Sequence, residues 1–594
     1  MREKRHPAGR GIVRRFAALA LAVLLSATLV PTRAQAASAY YPDRAHTALT
    51  YDAMPKDGID LASVASALRR FEADPAGEYE ALLSLSDELS TREALAEIES
   101  SIHGTDEALS DALEQTQSDY SRAMDMLSVS LERALNGPRG EELRAVMPDW
   151  AAEGFVGYEE MSEEEMARAD RESELVQDYY LLPRDRDFHD AAAELYLSLT
   201  ALRREEARAA GYESYAAYAY DTVYSRDFTP EEVETLRRLV KTRIAPLYLR
   251  CEEAAARTKP AWDTERVPET EELLDLLEEH LPHVSPELSE ALSYLRQNGL
   301  YCIGQDEALL DMGYTLSLPY YGSAFLFNRV HYRLESIKST VHEFGHFNAA
   351  YHDPTPSLYA FSNIDVNEVQ SQGLEMLFLP CLQEILAGED EEQRSLIELY
   401  VVGDMLSSVV DGFFYDEFEQ AAFDHPDLDA AGLDALERRL LKEYGLDALY
   451  GSEVYWPEVG HLFEQPFYYI SYAVSALSAL DIWQLSLRDR DEAVDAYLRV
   501  SAADSAEWFL DVLDESGLQD VTDPACLESI ARGVESHFGE TLDASPWLVL
   551  QRYAAPAAVA VVTLLVVLPL LRAARKGNRS EKIGAEPDEP DSAP

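Results

Sequence analysis

Basic residues and cysteines are both scarce in this sequence. Lysine and arginine number 50 against 109 acidic residues, which gives a formal net charge of −59 at pH 7. A nucleic-acid-binding protein carries the opposite excess, so the composition argues against nucleic acid as a partner. The four cysteines lie far apart and form no CxxC pair, which disfavours a zinc site built on cysteine. Internal repeats and low-complexity linkers are also lacking, and 594 residues suffice for a large buried core.

Long apolar runs mark the two ends of the chain. Near the N-terminus, a basic stretch is followed by an apolar run over residues 16–30 and by the small-x-small sequence Ala-Gln-Ala at 34–36. This order is typical of a secretory signal peptide, which we predict over residues 1–36. A first transmembrane helix is the alternative, but it needs a longer apolar span.

The C-terminal apolar run covers residues 553–571 and contains no charge. It is long enough to cross a hydrocarbon core of ~30 Å as a helix, and a cluster of lysine and arginine follows it directly. Because such clusters stay on the cytoplasmic side, we predict one transmembrane helix at 553–571 and a cytoplasmic tail at 572–594. The expected location is the cell membrane, crossed once, with the region before residue 553 extracellular. The alternative is a buried core helix.

Between these ends, the spacing of apolar residues predicts helices almost throughout. We expect an N-terminal helical region over 37–190 and a second region over 191–545, which contains the candidate site residues described below. Pro230 directly after Thr229 predicts the first turn of a helix behind its cap. The aromatic and apolar stretch at 323–327 instead predicts a short strand. The expected fold class is mainly α, with a small β-sheet near the active site and one C-terminal transmembrane helix.

The segment from His342 to His346 has the pattern His-Glu-x-x-His within a sequence of helical composition. Residues four apart lie above one another on a helix, so the two imidazoles can bind one metal ion. Glu343 lies on an adjoining face, from which it can act as general base toward a metal-bound water. The pattern also arises by chance in a chain with 13 histidines, so a third ligand is needed to support it.

Gly345 lies inside this predicted helix, where glycine costs ~1 kcal/mol relative to alanine. A helix retains such a glycine where another element must approach closely. Simple tolerance of the glycine is the alternative.

A catalytic zinc site takes three protein ligands and leaves one position open. The helical segment downstream offers Glu368 and Glu375, which are seven residues and therefore almost two turns apart on one face. One carboxylate can bind the metal, and the other can accept a hydrogen bond from a metal-bound histidine. An acidic stripe facing solvent is the alternative, and the apolar neighbours of Glu375 disfavour it.

Further along the chain, His461 precedes an aromatic segment with several tyrosines. A histidine and phenolic hydroxyls can donate hydrogen bonds to a developing oxyanion. Aromatic stripes at helical spacing are also common in protein cores, which is the alternative reading of this segment.

Together these segments resemble the thimet oligopeptidase and oligoendopeptidase F family of zinc metallopeptidases. The resemblance rests on His-Glu-Phe-Gly-His at 342–346, on Asn-Glu-Val-Gln-Ser-Gln-Gly-Leu-Glu at 367–375, and on His461 ahead of the tyrosine-rich segment. One departure is Ala349, where many relatives carry a histidine that is not a ligand. The resemblance implies a large prolate helical fold with a deep channel that admits unfolded peptides.

The resemblance also implies one zinc ion per chain, bound by His342, His346 and Glu368. It implies Glu343 as general base and then as proton donor to the leaving amine. Glu375 would hold a metal-bound histidine in place without touching the metal.

In this family, a histidine and tyrosines of the later segment stabilise the tetrahedral intermediate. His461 and Tyr472 fit that role, with Tyr469 as a further donor and Tyr468 as the alternative to Tyr469 in register. The strand 324–327 resembles the sheet edge that pairs with the substrate backbone.

The resulting hypothesis is a membrane-anchored extracellular zinc metalloendopeptidase that hydrolyses internal bonds of short unfolded peptides. One alternative is a catalytically inactive surface protein that binds peptides on the same scaffold. Another is a zinc carboxypeptidase or dipeptidase, which would share the same zinc core. The preferred side chains at the cleaved bond and the oligomeric state are left open.

Overall fold

A computed structural model describes residues 45–542, except 105, 156–161, 185, 257–259, 261, 263–265, 361–363 and 452. The chain divides into two compact units, Met1–Val534 and Glu535–Pro594. Of the second unit, the structure describes residues 535–542, and the site discussed below lies in the first. The boundary expected near residue 190 stays a prediction, and the predicted signal peptide at 1–36 lies outside the described residues.

Helices make up most of the described chain. They are α1 Leu61–Ala73, α2 Tyr79–Ile102, α3 Glu107–Leu135, α4 Gly140–Arg144, α5 Asp149–Phe155, α6 Glu163–Tyr180, α7 Phe188–Ala209, α8 Tyr215–Tyr218, α9 Pro230–Leu239, α10 Ala245–Ala255, α11 Thr270–Val284, α12 Leu288–Asn298, α13 Arg333–His352, α14 Ile364–Ala387, α15 Glu391–Asp424, α16 Ala430–Tyr444, α17 Asp447–Tyr450, α18 Gly460–Glu464, α19 Tyr469–Arg488, α20 Arg490–Ser501, α21 Phe509–Ser516, α22 Pro524–His537 and α23 Gly539–Leu542. Short π-helical segments, Ala219–Val223 and Val240–Ile244, continue α8 and α9.

Local sequence signals account for several helix ends. The side chain of Thr229 accepts a hydrogen bond from the backbone N–H of Glu232, while the carboxylate of Glu232 accepts one from the backbone N–H of Thr229. Pro230 occupies the first turn, where its missing N–H costs nothing. The predicted start of this helix is thereby confirmed.

The core of the first unit is built around α14, which packs against α13, α15 and α19, while α15 also packs against α19. Nearly every residue of α14 between Asp365 and Leu382 is buried, as is nearly every residue of α19 between Ile470 and Trp483. A helix that is buried on all sides lies inside a protein rather than on its surface. The polar residues that these two helices carry are therefore held in the interior.

A smaller apolar core joins α1, α2 and α3 to the segment that follows α13. Val64, Leu68, Leu127 and Leu131 belong to this core, and Leu358 packs with them. The hydroxyls of Tyr79 and Tyr359 are also hydrogen-bonded to each other. The N-terminal helices are thus packed against the segment that follows α13, the helix that carries the His-Glu-x-x-His pattern.

One three-stranded sheet lies beside α13. Its strands are β1 Tyr301–Gly304, β2 Gly313–Leu318 and β3 Ser323–Arg329, in the order β1-β3-β2. Strand β3 is parallel to β1 and antiparallel to β2. Gly322 in the β2–β3 turn has φ 60°, and a Cβ atom there would lie 2.5 Å from the carbonyl oxygen of Ala45, so this turn needs glycine.

The predicted strand at 323–327 is confirmed as β3, but its expected role as the sheet edge is wrong. β3 is the middle strand, hydrogen-bonded to β1 through Leu326–Arg329 and to β2 through Ser323–Asn328. All of its residues except Arg329 are buried. Burial of nearly every residue shows that both faces of β3 are covered, and pairing with β1 and β2 occupies both of its edges.

The predicted fold class is wrong in its membrane part. Across residues 45–542 with the gaps given above, no helix combines the length and the apolar character needed to span a bilayer. The expected transmembrane helix at 553–571 and tail at 572–594 lie outside the described residues. The predicted location, a single-pass protein of the cell membrane with an extracellular catalytic region, is wrong on the same finding.

Candidate metal centre

Helices α13 and α14 approach each other very closely at Gly345. A Cβ atom at this position would lie 2.6 Å from the carbonyl oxygen of Gln370 and 2.7 Å from Cα of Ser371. Backbone atoms cannot yield to such a contact, so this helix separation requires glycine. The close approach predicted from Gly345 is confirmed, and it brings Glu368 alongside the histidines of α13.

His342, His346 and Glu368 converge. Oε2 of Glu368 lies 3.6 Å from Nε2 of His342 and 4.0 Å from Nε2 of His346. The two imidazole rings are nearly perpendicular, with an interplanar angle of 78° and centroids 5.0 Å apart. One donor atom from each residue lies within 4.8 Å of the others. The structure thus brings together all three residues that the family resemblance implies as ligands.

This arrangement fits a divalent cation. Glu368 is 5% exposed, and its Oε2 atom has no hydrogen-bond donor in the part of the chain that the structure describes. A buried carboxylate oxygen without a partner is costly, and a cation between it and the two imidazoles would compensate it. Ligands of tetrahedral zinc at ~2.0–2.1 Å lie about 3.3 Å apart, close to the observed separations.

Glu375 holds the other ring nitrogen of His342. Nδ1 of His342 lies 2.7 Å from Oε1 of Glu375, which turns Nε2 toward Glu368. Oε2 of Glu375 lies 3.7 Å from Nζ of Lys338, and Lys338 also pairs with Asp404. Burial lowers the pKa of His342, but Glu375 and the neighbouring carboxylates outweigh it and raise that pKa to about 9. A metal ion that binds Nε2 displaces this proton.

Glu343 lies on α13 in an almost dry environment. It is 5% exposed. Oγ1 of Thr315, on β2, lies 3.0 Å from Oε2 of Glu343 and 2.9 Å from its backbone oxygen. Burial raises the pKa of Glu343 to about 7, although the nearby His342 and the Thr315 hydroxyl oppose the rise. A carboxyl group that titrates near neutrality can both accept and return a proton.

The aromatic segment forms one side of the site. Oη of Tyr468 donates a hydrogen bond to Oε1 of Glu368 at 2.7 Å, and Oη of Tyr472 lies 3.4 Å from Nε2 of His461. Burial lowers the pKa of His461 to about 4, so its imidazole is neutral at physiological pH. Tyr469, expected as a further donor, packs edge-on against the His461 ring with centroids 5.4 Å apart.

A strained turn sets the position of these side chains. Phe467, between α18 and α19, has φ 66°, which is rare for a residue with a side chain. Its N–H donates to Oε2 of Glu419 at 2.8 Å, and its carbonyl oxygen accepts from Nη2 of Arg226 at 2.9 Å. Arg226 also pairs with Asp365 of α14 at 3.2 Å. Buried charged groups therefore anchor the turn that leads directly into Tyr468.

Three contacts at the site were not predicted from the sequence. Lys338 lies four residues before His342 and shares its helix face, a spacing that could have indicated it. Thr315 comes from another element, and no local pattern links it to Glu343. The tyrosine that binds Glu368 is Tyr468, because the turn at Phe467 places this residue toward α14.

The chain is similar to known proteins in sequence and in fold. The chain is 29% identical over 227 residues to oligopeptidase PepF of Bacillus subtilis (strain 168), a match covering 35% of this chain and 32% of that protein. A crystal structure assigned to oligoendopeptidase F superposes with a TM-score of 0.71 at 19% identity, covering 84% of this chain and 99% of that one. The resemblance to the oligoendopeptidase F family is confirmed. No family model matches the chain.

Two further structures share the oligoendopeptidase F fold. PZ peptidase A with an inhibitor superposes with a TM-score of 0.68 at 17% identity, covering 82% of this chain and 99% of that one. Oligoendopeptidase F from Enterococcus faecium superposes with a TM-score of 0.52 at 14% identity, covering 81% and 97%. These likenesses show that the chain shares the fold of these peptidases. The aligned sequence relative is matched over about a third of its own length.

Proposed function

We propose that this chain is a zinc metallopeptidase that hydrolyses internal bonds of short, unfolded peptides. His342, His346 and Glu368 are the proposed ligands of one zinc ion. The observation that carries this proposal concerns the buried Oε2 atom of Glu368. It has no hydrogen-bond donor among the described residues and faces a nitrogen of each imidazole. A zinc ion bound there would polarise a carbonyl group and lower the pKa of water.

Glu343 is the proposed proton carrier. Its Oε atoms would accept a proton from the attacking water and return it to the nitrogen of the leaving amine. The pKa of about 7 that burial gives this carboxyl group suits both steps, since its two protonation states are close in free energy near neutral pH. Thr315 holds one carboxylate oxygen through its hydroxyl and keeps the group in place.

His461 and Tyr472 are the proposed donors to the oxyanion that develops on the substrate carbonyl. His461 lies against Tyr468 and Tyr472. Tyr472 is half-buried near Glu368 and Glu343, and desolvation together with the charges of these carboxylates raises the pKa of its hydroxyl well above the usual value. A hydroxyl with such a pKa stays protonated and keeps its hydrogen for donation. We propose that Tyr469 supports the His461 ring through their edge contact.

Strand β2 is the proposed docking edge for the peptide backbone. Within the described residues, β2 is hydrogen-bonded to β3 alone, so its other edge has unpaired backbone groups. Thr315 of this strand contacts Glu343, which puts the edge next to the proposed proton carrier. An extended peptide can add to such an edge through main-chain hydrogen bonds.

The test uses the purified full-length chain with zinc, a mixed peptide library and mass spectrometry of the fragments. Internal cleavage is expected. The Glu343→Gln variant should retain zinc like the wild type and lose nearly all turnover. If this variant cleaves as fast as the wild type, Glu343 is not the proton carrier.

The same experiment separates two other functions. A peptide-binding protein without activity would leave every library member intact. A carboxypeptidase would release only C-terminal residues, and two structures with this fold are carboxypeptidases, from Trypanosoma cruzi and Pyrococcus furiosus. Either outcome would replace the endopeptidase proposal.

A further inference from the structure

A second group of metal-binding side chains lies where α11 packs against α14. His280 and His283 occupy the last turns of α11, and Cys381 lies in the C-terminal half of α14. One donor atom of each residue lies within 4.8 Å of the others. The two histidines are three residues apart, so they share a helix face.

His280 has an unexplained buried nitrogen. The residue is 7% exposed, and its Nδ1 atom has no hydrogen-bond partner in the part of the chain that the structure describes. A buried ring nitrogen without a partner is uncommon and calls for an unseen ligand. Sγ of Cys381 makes one weak hydrogen bond, to the backbone oxygen of His280 at 3.8 Å.

We propose that His280, His283 and Cys381 form a second metal site, which binds one thiophilic divalent cation, zinc in the first instance. Two imidazoles and a thiolate are a ligand set that zinc prefers and that hard cations such as calcium or magnesium do not. Such a set leaves a fourth position for water. His283 is exposed, so the site has an entry path from solvent and a side chain that can rotate onto the ion.

Binding at this site must remove the proton of Cys381. Burial raises the pKa of the free thiol to about 11, although the nearby Arg490 opposes the rise. A zinc ion deprotonates a coordinating thiol outright, and the proton passes to solvent. The weak hydrogen bond from Sγ to the His280 carbonyl is exchanged for the stronger bond from sulfur to metal.

The second site is separate from the candidate catalytic centre, although both use α14. Cys381 follows Glu368 by thirteen residues, which is about 20 Å along a helix at ~1.5 Å per residue. A metal bound here would connect the end of α11 to α14 and resist their separation. The proposed metal therefore stabilises the packing of α14, the helix that carries Glu368, and takes no part in the reaction.

Cobalt substitution tests this proposal, because the candidate catalytic centre has no sulfur ligand. Full-length protein titrated with Co²⁺ should show a thiolate-to-cobalt charge-transfer band and bind two ions per chain. Cys381→Ser should abolish the band and bind one ion. His283→Ala changes an exposed residue, so it should fold normally and weaken the band. His346→Ala should keep the band while losing the other ion.

Two results would overturn the proposal. The first is wild-type protein that binds one Co²⁺ ion and shows no charge-transfer band. The second is a band that persists undiminished in Cys381→Ser, because the sulfur would then come from another cysteine. Both readouts are spectroscopic, so they are independent of whether the chain cleaves peptides.

Discussion

Nδ1 of His342 on α13 lies 2.7 Å from Oε1 of Glu375 on α14. This hydrogen bond joins the helix of the histidines to the helix of Glu368, and it fixes which nitrogen of the ring faces the candidate metal position. Partners of this kind orient metal-binding histidines and increase their basicity. The metal affinity of the site therefore depends on how α13 and α14 pack against each other.

Replacing Glu375 with Gln should weaken zinc binding by about 10–100-fold, because the amide lacks the charge that supports His342. Competition with a chromogenic chelator measures the affinity. Glu392→Gln, on the exposed start of α15, is the matched control and should leave the affinity unchanged. An affinity of Glu375→Gln equal to that of the wild type would contradict the orienting role.

Gly345→Ala should destabilise the protein by about 1–3 kcal/mol, because the added methyl group meets the backbone of Gln370 and Ser371. The separation of α13 and α14 should increase, and zinc affinity should fall with it. Urea denaturation measures the first effect and chelator competition the second. Gly58→Ala is the control, since a Cβ atom there meets only Oγ1 of Thr116 at 3.9 Å.

Thr315→Val should lower kcat about tenfold with little change in KM, because it removes one hydrogen bond that positions the Glu343 carboxylate. Zinc content should remain at the wild-type value. Thr315→Ser keeps the hydroxyl and should restore most of the rate. If the serine variant is as slow as the valine variant, the hydroxyl alone does not sustain the rate, and its proposed positioning role is contradicted.

Two neighbouring tyrosines should differ in what their loss affects. Tyr468→Phe removes the hydrogen bond to Oε1 of Glu368 and should weaken zinc binding. Tyr472→Phe should leave zinc binding intact and lower kcat by about 10²–10³-fold, as expected for an oxyanion donor. Chelator competition and steady-state kinetics on both variants make the comparison, and identical effects in the two would rule out this division of roles.

Asp411 of α15 should make stability depend on pH. Burial and the nearby Asp404 raise its pKa from 3.8 to about 7, against the opposing hydrogen bond from Ser407. The folded chain therefore holds a proton that the unfolded chain loses above about pH 4, so the free energy of unfolding falls as pH rises from 4 to 7. Asp411→Asn should raise that free energy by roughly 2 kcal/mol at pH 8 and leave it unchanged at pH 4.

Urea denaturation at the two pH values measures this effect. The exposed Asp427 offers a matched control, because Asp427→Asn removes the same charge without burial. A gain in stability for Asp411→Asn that is the same at both pH values would show that the titration of Asp411 is not its source.

The central part of the site could be predicted because helical spacing is visible in a sequence. His342 and His346 are one turn apart, and Glu368 and Glu375 are almost two turns apart, so each pair lies on one face. The spacing could not say which glutamate faces the metal position. That choice depends on the close approach at Gly345, which is a property of two helices together.

Contacts between segments that are far apart in the chain could not be predicted from the sequence. Thr315 meets Glu343 across 28 residues, and Cys381 meets His280 across 101. The absence of a CxxC pair argued against cysteine as a ligand, but that argument considers only ligands that are near in sequence. The composition of residues 323–327 predicted a strand correctly. Its central position in the sheet depends on the strands that pair with it on both sides, which the local sequence does not show.

The burial of α14 has a consequence for motion. Because every residue from Glu368 to Leu379 is buried, the amides of this stretch can exchange with solvent only when the surrounding core opens. Hydrogen exchange there should report the free energy of global unfolding rather than a local fluctuation. The candidate ligand and the core of the protein would then be lost in a single cooperative event.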